Sequence, residues 1–176
     1  MRLPRTSVPR VVALWVVIVS VALLGASRAS AADEASLDAT HAAVARFEAR
    51  FTTVGPALAE NLDRLYTEDV HFRDPIAEVT GLVALRRYFE RFAATSASAR
   101  FEITDEVVQP GQAAIFWTMV MKKKDGGDGR PFQGVSHVKT RDRIYEERDY
   151  FDLGEAVYDQ VPVVGWLTRL VRAWLD

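Results

Sequence analysis

Apolar residues recur along this chain with two periods, and the change from one to the other divides it. Over 37–51, Leu37, His41, Val44, Phe47 and Phe51 fall at helical spacing, with Ser36 placed to cap the start. Gly55-Pro56 breaks the pattern, and 57–66 reads as a second helix with Leu58, Leu62 and Leu65 inward. A short strand over 70–73 is stopped by Asp74-Pro75. Gly81 then precedes a third helix over 82–94, with Leu85, Tyr88, Phe89 and Phe92 on one face. From there the period is two, and 101–108, 113–123, 131–140 and 143–152 read as strands. Pro110-Gly111, the 125–129 tip and Arg141-Asp142 join them, and such short turns predict an antiparallel meander. The segment 163–175 is an amphipathic helix, with Trp166/Leu167, Leu170/Val171 and Trp174/Leu175 opposite Arg169 and Arg172. Three helices, a curled antiparallel sheet and a closing amphipathic helix make an α+β layout.

The N-terminal stretch follows neither period. Arg2, Arg5 and Arg10 precede the uncharged run VVALWVVIVSVALL (11–24), and Ala29-Ser30-Ala31 supplies the small residues of a cleavage site. This is the layout of a secretory signal over 1–31, leaving 32–176 as one exported domain, secreted or periplasmic. The alternative is an uncleaved helical anchor, but the apolar run is short of the roughly 20 residues a span needs. Removing 1–31 takes away arginines and no acid, so the remainder is more acidic than the whole chain's −2. An acidic domain without a basic stripe is a poor nucleic-acid binder. The dense cationic run 122–124 leads straight into DGGDGR and reads as a solvated hairpin tip. The chain has no Cys, so disulfides and thiolate metal sites are excluded.

Several chemistries fall away on inspection. GVSHV around Ser136 sits in a strand meander, not in the strand-to-helix turn of a nucleophile elbow. GGDGR lacks the Lys-Ser/Thr of a phosphate loop. His41, His71 and His137 form no ligand motif, so no metal and no other cofactor is expected. Two carboxylates stand out. Asp74 ends a strand beside Phe72 and Ile76, where Asp-Pro is also ordinary turn chemistry. Asp149 shares a strand face with Tyr145, Glu147 and Phe151, which is equally compatible with a solvated sheet face.

LYTEDVHFRDP, the Gly after it, an aromatic-rich helix and the strand meander resemble the nuclear transport factor 2 superfamily in its SnoaL-like branch, over about 37–160. The resemblance implies a cone in which three N-terminal helices pack on a curved antiparallel sheet around an apolar pocket. Members include ketosteroid isomerases, polyketide cyclases, epoxide hydrolases and binding proteins without chemistry, so the fold alone does not choose an activity. By position, Asp74 matches the isomerases' general base, Trp117, Met119 and Met121 their apolar pocket residues, and Ser136 their oxyanion-stabilising acid. Asp149, with Phe151 beyond it, matches a pocket-facing position in the last strand. The isomerases' oxyanion Tyr falls where this chain has Phe47 and Phe51, which argues against steroid isomerisation. Three readings stay open. In an enzyme, Asp74 or Asp149 takes a proton next to a carbonyl while Ser136 or Tyr88 donates a hydrogen bond, in a pocket lined by Leu85, Phe89, Phe92, Trp117, Met119, Met121 and Phe151. In a binding protein, the same pocket holds a small apolar molecule. In an assembly module, the outer sheet face (Phe116, Thr118, Val120, Val135, His137) makes a homodimer. Membrane contact is expected only through an uncleaved N-terminus or the C-terminal helix.

Overall fold

The computed structural model describes residues 10–51, 53–54, 59–95, 99–122, 127–157, 165–166, 170–171 and 173–174, with side chains from Ser30 onward. Helix α1 runs without a break from Arg10 to Phe51. Ser36 therefore lies inside it and caps nothing. Its carbonyl instead accepts the Thr40 hydroxyl at 2.8 Å. Thr40 in turn lies 3.2 Å from the Thr140 hydroxyl and accepts from Gly111 N at 2.9 Å. That buried polar node ties α1 to two strand turns, and it explains why threonine, not an aliphatic residue, sits on an inward helical face.

The expected second helix over 57–66 is not formed among its described residues, 59–66. Ala59 and Leu62–Arg64 are 3-10 instead, with Asn61 between them in the left-handed conformation at φ 50°. Leu62 and Leu65 are buried as expected, while Leu58 lies outside the described residues. Tyr66 belongs to a strand, so β2 spans Tyr66–Arg73 and is longer than expected. A β3 not anticipated, Glu78–Thr80, pairs back on it across the Asp74-Pro75 turn. Gly81, at φ +88°, leads into α2 (Leu82–Thr95). The meander follows as β4 (Ala99–Gln109), β5 (Gln112–Met121), β6 (Phe132–Thr140) and β7 (Ile144–Phe151). A two-residue β1, Thr53–Val54, and a short α3, Leu153–Ala156, complete the described elements.

One seven-stranded sheet results, in the order β1-β4-β5-β6-β7-β2-β3. All neighbours are antiparallel except β2 with β7, which run parallel. A register shift between Ile103 and Asp105, and another between Lys139 and Thr140, add local twist that curves the sheet. Helix α1 packs on β4, β5 and β6, and α2 on β2 and β3. The core between them is aromatic: Phe47, Phe51 and Phe101 meet at centroid distances of 4.4 to 6.4 Å, and Phe101 reaches Trp117 at 5.0 Å. Much of the segment 163–175 lies outside the described residues. Its described members are helical, and Trp166, Leu170, Val171 and Trp174 are exposed.

Candidate active site

Strand alternation decides which side chains reach the interior. On β7 the inward positions include Glu147, Asp149 and Phe151, on β6 Phe132 and Ser136, and on β5 Trp117, Met119 and Met121. These meet Tyr88, Phe89 and Phe92 from α2, Phe47 and Phe51 from α1, and Asp74 from the end of β2 around a cavity of about 110 Å³. Asp74, Asp149, Tyr88, Phe89, Trp117, Met119, Met121, Ser136 and Phe151 thus all line one space. Leu85, expected in that lining, is buried in the core instead and is not part of it. The Trp117 ring lies over Gly134, its register partner on β6: a Cβ there would come within 2.3 Å of the ring. Only glycine leaves room for the indole, whose Nε1 then donates to Ser136 Oγ at 3.0 Å.

Asp74 is held by the chain around it. Its Oδ1 accepts from Ile76 N at 2.7 Å and Ala77 N at 2.6 Å, and its Oδ2 accepts the Tyr88 hydroxyl. The turn chemistry of Asp-Pro and a place in the cavity wall are therefore the same fact. Tyr88's proton is directed to Asp74, and burial, that hydrogen bond and the Asp74 charge all push the phenol's pKa well up.

Asp149 is different. Its Oδ1 is buried and has no hydrogen-bond partner. Loss of solvation raises its pKa from 3.8 to about 7, against hydrogen bonding from Ser136, its register partner; the Asp74 charge adds to the rise and Glu147 opposes it. Glu147, two residues earlier on the same face, is 1% exposed and accepts the Tyr66 hydroxyl at 2.7 Å. Burial, then the Asp149 charge, pushes its pKa well above the usual carboxylate range, although the Tyr66 hydrogen bond pulls the other way. Tyr66 is fully buried and raised likewise, first by burial and then by Glu147. Two carboxyls this close titrate as a pair, and burial pushes both upward.

Glu147 and Tyr66 are site residues that sequence reasoning missed. The signal for Glu147 was its place on the same strand face as Asp149. Tyr66 was hidden by its assignment to the end of a helix. Among the described residues no group of three His, Cys, Asp or Glu side chains is arranged to hold a metal ion. On the outer sheet face Phe116 is exposed, and His137 lies 3.2 Å from the Gln112 side chain.

The SnoaL-like domain family model matches residues 44–147. Among similar solved structures is a hypothetical protein with a ketosteroid isomerase-like fold from Catenulispora acidiphila, in complex with trimethylamine. It is 22% identical with a TM-score of 0.56, over 67% of this chain and 90% of that one. A putative SnoaL-like polyketide cyclase from Jannaschia is 11% identical with a TM-score of 0.60, over 73% and 92%. TsrD from Streptomyces laurentii is 16% identical with a TM-score of 0.55, over 68% and 92%. At such identities the likeness is one of fold. No curated protein matches the chain.

Proposed function

This chain belongs to the SnoaL-like domain family, and we propose that its cavity binds a small, largely apolar molecule and moves a proton on it, with Asp149 as the base. One observation carries the reading: a buried carboxylate oxygen with no partner, Asp149 Oδ1, in the wall of an aromatic cavity. An unpaired buried acceptor is costly, so a ligand hydrogen is its natural partner. With a pKa of about 7, Asp149 is substantially ionised near neutral pH and retains appreciable basicity. Glu147, buried on the same strand face, is coupled to Asp149, and Tyr66 positions Glu147. Ser136 accepts from Trp117 and directs its own hydroxyl proton to Asp149, which holds the base in place. Asp74, whose oxygens are already taken by two backbone N–H groups and Tyr88, shapes the wall and adds negative charge. Those contacts favour Asp149 over Asp74 as the group that meets the proton.

The test is deuterium exchange at the carbon next to the carbonyl of butanone, followed by NMR in heavy water. Wild type is expected to exchange faster than buffer, with a rate that rises as pH passes through about 7. Asp149→Asn should lose on the order of 100-fold or more while still binding an apolar dye. Dye binding without any exchange in wild type would favour a binding protein that performs no chemistry. Export through cleavage after Ala31, and a homodimer using the outer sheet face or the exposed apolar residues near the C-terminus, complete the proposal.

A further inference from the structure

Resting on the cavity reading above, we infer that the ligand carries a positive charge: a small tertiary or quaternary alkylammonium group enclosed by aromatic rings, with carboxylates on one wall. The cavity's described lining includes Asp74, Glu147 and Asp149 and no Lys, Arg or His. The rest of the wall is dominated by rings, among them Phe72, Tyr88, Phe89, Trp117, Phe132 and Phe151. Ring faces and carboxylates both attract cations, and an apolar surround strengthens the attraction by excluding water.

The size fits as well. A cavity of about 110 Å³ is smaller than the roughly 150 Å³ that takes benzene, so it encloses about four to five non-hydrogen atoms. A trimethylammonium head has that bulk. It has no hydrogen-bond donor beyond at most one N–H, which matches the unpartnered acceptor Asp149 Oδ1. A metal ion is a poor occupant, because the carboxyls are not grouped as a ligand set among the described residues.

The groups around Asp149 are Asp74 and Tyr66 from β2, Glu147 on its own strand and Tyr88 from α2. Arg50 of α1 acts on Tyr66 and Arg91 of α2 on Tyr88, and neither lines the cavity. A bound cation therefore stabilises the ionised form of Asp149, and binding releases protons below neutrality.

Titration calorimetry of the full-length protein with choline and with 3,3-dimethylbutan-1-ol, its uncharged carbon isostere, separates charge from shape. Choline should bind roughly tenfold tighter or more at about pH 8, lose most of that advantage near pH 5, and release protons on binding near pH 6. Asp149→Asn should shrink the preference while leaving the neutral alcohol's affinity within a few-fold. Equal or tighter binding of the alcohol overturns the inference, as does failure of both to bind. Proton exchange on butanone then reports separately on the base: exchange that persists in a protein without choline preference leaves the proposed chemistry standing and removes only the ligand class.

Discussion

Replacing Asp149 with asparagine should make the protein more stable at pH 8 and should flatten its response to pH. The unfolded carboxyl titrates near 3.8 and the folded one at about 7. Between those values the folded state binds a proton that the unfolded state has released. Stability from this group is therefore complete below pH 3.8 and falls as pH rises through about 7. The full difference corresponds to about 4 kcal/mol. Asp149 is half-buried as a residue, so solvent screening reduces this to about 2 kcal/mol. Glu147, raised for the same first reason, steepens the fall in the same direction. Urea denaturation at pH 5 and pH 8, with a common slope assumed only where measured, reads the difference directly. Wild type should be less stable at pH 8 by about 2 kcal/mol or more, and Asp149→Asn should lose much of that dependence. A variant whose midpoint still falls as steeply as wild type would refute the placement of Asp149 in an apolar wall.

Tyr66→Phe removes the one hydroxyl that satisfies Glu147 Oε2, and should cost about 1–3 kcal/mol by denaturation, whereas Glu147→Gln, which keeps an acceptor for Tyr66, should cost less. Gly134→Ala forces the Trp117 indole off its seat, with an expected loss of about 1–3 kcal/mol and weakened dye binding; unchanged binding would show that the ring has another place to go. Asp74→Ala strands the Ile76 and Ala77 N–H groups and the Tyr88 hydroxyl, and should destabilise more than Asp74→Asn, which keeps the Oδ1 acceptor. N-terminal sequencing of the protein from its own host should begin at or near Ala32; Met1 on a soluble cytoplasmic form would end the export proposal.

Much of the architecture is legible in the sequence because it is periodic. Inward aromatic residues at helical spacing placed α2, and the two-residue alternation placed β4 to β7 and the faces of Trp117, Ser136 and Asp149, because a strand allows a side chain only two directions. The failures lie where local pattern is weakest. Leu58, Leu62 and Leu65 mimic a helical face, but Asn61 adopts a left-handed turn and Tyr66 is drawn into the sheet by its parallel partner β7, a pairing between residues far apart in the chain. Ser36 looked like a cap only because nothing in the local pattern shows that the helix continues upstream of it.

The site divides in the same way. The sequence alone determined that Asp74 ends a strand at a turn and that Glu147, Asp149 and Phe151 share a face. Only the tertiary structure decided what those positions mean. It brought Tyr66 to Glu147 and Tyr88 to Asp74, and it buried Asp149 Oδ1 without a partner. Burial and proximity are properties of the packed molecule, and a carboxyl's affinity for its proton depends on both, so a string of residues can name the acids but cannot say which of them is buried without a partner.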